Sequence, residues 1–518
     1  MPAERLPARL TPLAAGLGLT PFYGDLHNHC AISYGHGSLD QALKRARQQL
    51  DFVSITGHAY WPDMPVDDPR VAHIVDFHVK GFARLGRLWP AHFDTLAEAN
   101  APGAFTVFPG YEIHSCAHGD YTIVYRDLDP HPIVKADTPD DLQRLLRAEA
   151  GDGVFAFPHH IGYRLGARGI NWASFREDLS PVLEIVSMHG CSETSLTDRP
   201  FLHSMGPSDG HSTARHGLGL GHRFGFLGNT DHHSGHPGSY GHGRSAVYAP
   251  ENDRAALWDA LHQRRTAALT GDNAHLFFTL GGAPMGATVP PGTEPDLRIE
   301  AVAGGHIDYI DVIRNSDVVA RVTPDISPSP IDTSGDGIET VFMLEMGWGS
   351  RGQSHDWRGT LSVVDGEILA LEPRLRGAEV VSPLEAEDDG GEENSVTRDG
   401  NAVSFAITAW SNPNNMTPAT QAVAARVRIG QDTRFVLEIE GQTFEASAAR
   451  LMDGAFCGNL GPIDSPAFRF HPLPKPHQWQ WQGAMRIDPL RAGDWVYVRM
   501  RQANGQWAWA SPVFCRAD

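Results

Sequence analysis

Short apolar runs separated by helical repeats fill the first half of the chain. Phe52 to Thr56, Thr106 to Phe108, Tyr121 to Tyr125, Val154 to Phe157, Val182 to Ser187 and Phe224 to Leu227 each read as a buried strand. Between them a 3.6-residue period takes over. Ser38 and Gln41 form a capping box, and Leu39, Leu43, Ala46 and Leu50 line one face of the helix that follows. Residues 80–98 and 253–265 also read as helical. A further helix starts at Thr138 and Pro139, with Leu142, Leu145 and Leu146 on one side. Together with the run around Phe22 to Leu26, this makes about seven strands joined in several places by helical crossovers. That order predicts an α/β fold with parallel pairing in a closed or nearly closed barrel.

From about Gly271 the period changes to two. Leu297 to Val302, Tyr309 to Ile313 and Trp495 to Met500 alternate apolar and polar positions between regular turn signals, which predicts a mostly antiparallel β-sandwich. A chain of 518 residues exceeds what one core supports. The expected division is 1–275 for the barrel and 276–518 for the β-rich part. The acidic stretch 385–393 and the turn Asp332 to Gly337, which lacks the twelfth-position glutamate of a calcium loop, read as solvated segments.

Charge narrows the function. With 62 acidic against 42 basic residues the formal net charge is −20, which argues against nucleic-acid or anionic-membrane partners. The N-terminus has no continuous apolar segment, so no signal peptide and a cytoplasmic location are expected. The five cysteines have no C-x-x-C spacing and read as small buried hydrophobes. Histidine is the exception: 23 of the 27 precede residue 276. Imidazole concentrated in one half is a metal-site signal.

The candidate donors repeatedly follow an apolar strand. His27 and His29 alternate, so their side chains leave one face, which Asp25 would share, and His36 follows in a glycine loop. His58, Glu112, His159 with His160, His189, and Asp231 with His232 and His233 each come just after another strand. In a parallel barrel that is the C-terminal rim, where side chains from separate strands converge.

These motifs, G-D-L-H-N-H at 24–29, T-G-H at 56–58, G-Y-E at 110–112, P-H-H at 158–160 and D-H-H at 231–233, resemble in type and order those of the PHP (polymerase and histidinol phosphatase) superfamily. The stretches 184–193, 226–238 and 496–512 are similar to a PHP branch with an appended β-rich domain. The resemblance implies a distorted seven-stranded (β/α)7 barrel holding two or three divalent ions. By that resemblance His27, His29, Glu112 and Asp231 bind one ion. Glu112 bridges to a second, held with His159 and a ligand from the 114–120 loop. His36, His58 and His233 hold the third. The loop ligand is either His118 or Asp120, with His118 slightly favoured. Gly57 stands where the family usually carries an aspartate.

Neutral imidazoles and carboxylates suit zinc, manganese or iron. Ions sharing Glu112 would acidify a bridging water and polarise the bond under attack. Asp231 can accept that water's proton, and His160, His189 or His233 can protonate the leaving oxygen. Arg164, Arg168 and Arg244 are candidates to pair with an anionic group, and Tyr60, Trp61, Tyr163 and Trp172 to wall an organic substrate. The expected function is a phosphoesterase acting on a small organic phosphate ester, either monomeric or as a homo-oligomer. Hydrolysis of a lactone, ester or amide on the same site is the alternative, and a non-catalytic metal-stabilised binding protein the second. An amidohydrolase-like barrel with a carboxylated lysine fits less well, because Lys44, Lys80 and Lys135 do not end a middle strand. Gly206 to Gly210 matches G-x-S-x-G, but no apolar strand precedes Ser208.

Overall fold

The computed structural model describes residues 12–202, 205–324, 337–350, 352–378, 394–411 and 419–517. The stretches 332–336 and 385–393 lie outside the described residues. The first half contains strands β1 (Thr20–Asp25), β2 (Phe52–Tyr60), β3 (Thr106–Ile113), β4 (Tyr121–Tyr125), β5 (Val154–Pro158), β6 (Val182–Ser187), β7 (Gly190–Cys191), β8 (Gly225–Gly228), β9 (Arg244–Ala249) and β10 (Thr266–Leu269). Its helices are α1 (Pro12–Gly16), α2 (Leu39–Gln49), α3 (Ala72–Ala99), α4 (Pro139–Ala150), α5 (Ala214–Gly219) and α6 (Arg254–His262). The helix read at 80–98 thus starts eight residues earlier, at Ala72. The Ser38 cap is made as read, with both hydrogen bonds of the box present.

Pairing is mixed. β1, β2 and β3 run parallel, as do β6 and β8. β4 is antiparallel to both β3 and β5, because the short 114–120 loop cannot make the crossover that a parallel partner needs. β9 is antiparallel to β1 and to β10. The parallel pairing expected of a closed or nearly closed barrel is therefore found only in part, within a mixed α/β arrangement. β5 lies against β6, and β8 against β10, without a continuous ladder. The close approach at β8 requires a glycine. A Cβ on Gly228 would lie 2.5 Å from the Leu269 carbonyl and 2.8 Å from that of Arg244.

Period two divides the strands between two apolar layers. Val53, Ile55, Val107 and Ile123 face Leu43, Ala46, Leu85 and Leu96 on α2 and α3. Phe52, Phe108, Phe155 and Leu227 turn inward with Leu257, Trp258 and Leu261 of α6. Trp258 donates to the Asp152 carbonyl just ahead of β5, so α6 packs near the strands' N-terminal ends.

The second half opens with β11 (His275–Leu280), β12 (Ala283–Pro284), β13 (Thr288–Val289), β14 (Asp296–Val302), β15 (Ile307–Arg314) and β16 (Asp317–Val322). It continues through β17 (Ile338–Gly347), β18 (Ser354–Arg374), β19 (Ser395–Asp399), β20 (Ala402–Trp410), β21 (Gln421–Ile439), β22 (Gln442–Ser447), α7 (Ala448–Asp453), β23 (Phe456–Asn459) and β24 (Ala467–Phe470). α8 (Pro476–Trp479), β25 (Gln480–Arg486), β26 (Trp495–Gln502), β27 (Trp507–Ala510) and β28 (Val513–Cys515) close the chain. β17 to β24 form an antiparallel sheet around Phe342, Trp357, Val427, Phe435 and Phe470. β11, β14 and β25 form a second sheet, packed through Phe278 and Ile299 onto Val312, Val498 and Met500 of β15 and β26.

That sandwich shares a sheet with the first half, because β27 pairs with β10 across the expected 275/276 division. A buried charge cluster reinforces the join. Glu193 accepts from Arg215, Arg499, Trp509 and Tyr497. All five cysteines are free, with Cys30, Cys191 and Cys515 buried. Among the described residues no helix is long and apolar enough to cross a membrane.

Candidate metal centre

The site forms where the segment after β1 is zipped to the segment after β8. His29 N–H donates to the His232 carbonyl and Asp231 N–H to that of His27, both at 2.8 Å. Asp25 does not join the donor face. Its carboxylate accepts from the amides of His27, Thr230 and Gly238 and from the Thr230 hydroxyl, pinning both segments. Burial raises its pKa to about 6 against those hydrogen bonds.

Glu112, near the end of β3, is the hub. Its Oε2 lies 2.8 Å from His58 Nδ1, 3.3 Å from His29 Nε2 and 3.6 Å from His27 Nε2. Its Oε1 lies 2.9 Å from His159 Nε2 and 3.1 Å from His114 Nδ1. Asp231 closes the other side, with Oδ1 3.0 Å from His29 Nε2 and Oδ2 3.0 Å from His189 Nε2. Asp231 and His160 both have positive φ, 50° and 30°, conformations that side chains other than glycine rarely take.

The outer hydrogen bonds fix which ring atoms face inward. His27 Nδ1 is 2.9 Å from Glu184 Oε2. His233 Nδ1 is 2.8 Å from the Asp231 carbonyl. Tyr163 donates its hydroxyl to the Leu202 carbonyl and so accepts from His189 Nδ1 at 3.1 Å. Each of these three rings thus turns its Nε2 toward the centre, the orientation of metal-ligating histidines with outer partners.

Burial lowers the pKa of His29, His58 and His233. It raises those of Glu112 and Asp231, but the surrounding imidazoles outweigh it and hold both carboxyls well below the usual range. His27 is the exception among the rings. Burial lowers its pKa, and the charges of Asp231 and Glu184 overcome that and lift it well above its ordinary value.

The donor set fits divalent cations. Glu112 Oε2 is buried and makes no hydrogen bond despite three ring nitrogens within 3.6 Å. Among the described residues, four groups have donor atoms all within 4.8 Å of each other. They are His27–His29–Glu112, His29–His58–His233, His58–Glu112–His114 and Glu112–Asp120–His159–His160.

The structure therefore brings together His27, His29, His58, Glu112, His159, His160, His189, Asp231 and His233. His36 is buried nearby, its amide donating to the His233 carbonyl, but it belongs to none of the four groups. His118 points away, its Nδ1 3.0 Å from Ser174 Oγ, and Asp120 takes the place in the cluster. Asp120 immediately precedes β4, which turns its carboxylate inward, whereas His118 sits two residues back in the loop.

His114 escaped the sequence reading, although its spacing of two from Glu112 puts both on one strand face. Glu184, hidden inside an apolar run, escaped it too. Of the substrate candidates, Trp61 packs 5.3 Å from His114 and Arg168 bonds Asp120. Tyr60 instead donates to Asp137, and Arg164 is exposed. Arg244 is buried in an ion cluster with Glu372, Arg374 and Asp272 that ties β9 to β18. Trp172 donates to the His211 carbonyl and packs on Phe224. Ser208 lies exposed in a loop. An aspartate in place of Gly57 would direct its Cβ at Leu85 and Ile32, so that departure removes no group from the centre.

No family model matches the chain. An uncharacterised protein of Chlamydia pneumoniae is 23% identical over 257 residues, covering 46% of this chain and 41% of that protein. One of Chlamydia trachomatis is 30% identical over 174 residues, covering 30% of this chain and 28% of that protein. The chain thus spans well under half the length of these curated relatives. Among solved structures, a two-domain protein of Bacteroides vulgatus containing a predicted PHP-like metal-dependent phosphoesterase covers 86% of this chain and 98% of its own, at 13% identity and TM-score 0.34. PsfC of Pseudomonas syringae covers 44% of this chain and 82% of its own, at 16% identity and TM-score 0.27.

Proposed function

We propose that this chain is a metal-dependent hydrolase of the PHP type, acting on a phosphate ester of a small organic molecule. The observation that carries the reading is the Glu112 carboxylate, buried among the ring nitrogens of His27, His29, His58, His114 and His159, with one oxygen making no hydrogen bond. In this reading those residues, with Asp231 and His233, hold two or three divalent ions of zinc, manganese or iron. A cation bound there supplies Lewis acidity and a water acidic near neutral pH.

The chain's own groups do the rest. Glu184 and Tyr163 fix the tautomers of His27 and His189. His189 Nε2, beside Asp231 Oδ2, is placed to move a proton between attacking water and leaving group. His160 Nε2, 3.4 Å from Asp120, is a second such position. Trp61 walls the organic part of the substrate. Residues up to 275 form the catalytic body and 276–518 the accessory part, in a cytoplasmic enzyme without nucleic-acid or membrane partners.

A second reading, hydrolysis of a lactone, ester or amide on the same site, is kept for one reason. The charge of Arg168 is already committed to Asp120 rather than left for a phosphate. Both readings are tested by one panel of phosphate esters, aryl esters, lactones and amides, with and without chelator. Turnover that EDTA abolishes, that Mn²⁺ or Zn²⁺ restores, and that soluble Asp231→Ala and His27→Ala variants lack is expected. Absence of turnover across the panel, or chelator-resistant turnover surviving in Asp231→Ala, overturns the proposal.

A further inference from the structure

We propose that Arg168 is a resident cation of the centre, its guanidinium filling the Asp120 arm in place of a divalent ion. The inference rests on the metal reading above and refines it. Glu112, Asp120, His159 and His160 have donor atoms within 4.8 Å of one another, all buried, as an ion site requires. The guanidinium already holds that arm. Arg168 Nε donates to Asp120 Oδ2 at 2.8 Å, and Nη2 contacts the same oxygen. Nη2 also lies 2.9 Å from His114 Nδ1, which is itself 2.9 Å from Asp120 Oδ2, and 4.0 Å from Glu112 Oε1. It thus occupies the carboxylate oxygen of the four-donor group and abuts the His114 ring of a neighbouring one. A divalent ion would need the same electron pairs and would face the fixed positive charge of a guanidinium that does not deprotonate.

The arginine is built into this place. Its side chain is 12% exposed, with Trp61 under the guanidinium at 5.4 Å. Its backbone has φ 69°. The loop around it is closed so tightly that a Cβ on Gly169 would lie 1.6 Å from the Tyr163 carbonyl oxygen. A strained, enclosed presentation of this kind persists where the surroundings over-determine it. The centre therefore takes fewer divalent ions than its ligands allow, seated on the side of His27, His29, His58, His233 and Asp231.

The test is a count of ions. The full chain is stripped with chelator, equilibrated with Zn²⁺ and analysed for metal per chain. Arg168→Ala and Arg168→Gln are expected to bind about one more Zn²⁺ than wild type, and adding Asp120→Asn to remove that gain. Arg168→Lys, which keeps a positive charge, stays at the wild-type number. Should the alanine variant fail to fold, the glutamine variant carries the comparison. Equal or lower Zn²⁺ content in the neutral variants, with wild type binding Zn²⁺, overturns this inference alone. A wild type that binds no divalent cation overturns the metal reading as well.

Discussion

Glu184 offers a quantitative handle, because it touches the centre only through His27. Its Oε2 lies 2.9 Å from His27 Nδ1 and also accepts from Asn229 Nδ2 at 3.1 Å, with both side chains of the His27–Glu184 pair at most 1% exposed. In Glu184→Gln the amide oxygen can replace Oε2 and keep both contacts. What is lost is the negative charge that raises the basicity of the ring. Outer-partner changes of this kind weaken metal binding about 10–100-fold, and the retained geometry puts the glutamine at the low end, about 10-fold or roughly 1.4 kcal/mol. Glu184→Ala also frees the ring to turn and belongs near 100-fold, roughly 2.7 kcal/mol. The remaining oxygen, Oε1, makes no hydrogen bond, so the glutamine NH₂ would be buried unpaired and cost the fold about 1–3 kcal/mol as well. Zn²⁺ titration against a competing chelator measures the first effect and thermal unfolding of the metal-free protein the second. Unchanged Zn²⁺ affinity in Glu184→Ala would refute the reasoning that His27 is an oriented ligand.

Asp120 and His118 should separate by stability. Asp120→Asn unpairs the buried Arg168 and is expected to cost about 3–5 kcal/mol, while His118→Ala loses one hydrogen bond to Ser174, about 1 kcal/mol; thermal midpoints compare them. His92, buried on α3 against Trp89 with neither ring nitrogen hydrogen-bonded, gives a pH signature. Burial pushes its pKa down to about 4, so below about 6.5 the unfolded chain takes up the proton first, and about 3 kcal/mol of stability is lost as pH falls from 6.5 to 4. His92→Phe removes that loss. Its stability relative to wild type should rise as pH falls from 7 to 5 in urea titrations, and a constant difference would refute the assignment.

The strands that carry the centre were legible because each ends an apolar run with a polar donor, and that juxtaposition is local. His27, His29, His58, Glu112, His159, Asp231 and His233 all follow this rule. What was hidden depends on geometry beyond one run. Whether His118 or Asp120 enters the cluster turns on where β4 begins. Glu184 reads as an interruption of a strand, and only the chain's return after β8 places His27 and Asn229 beside it. Arg168 sits in an irregular loop with no period to point it inward. The antiparallel pairings of β9 with β1 and of β10 with β27 join segments more than 200 residues apart, a relation that no window of local pattern contains.

Anomalous diffraction from crystals of the protein grown with Zn²⁺ or Mn²⁺ tests the central claim most directly. A peak in bonding contact with Glu112 and the Nε2 atoms of His27 and His29 is expected, absent from crystals of Glu112→Gln. Density without such a peak, or a metal bound elsewhere while Glu112 and Asp231 bond only to neighbouring side chains, would contradict it.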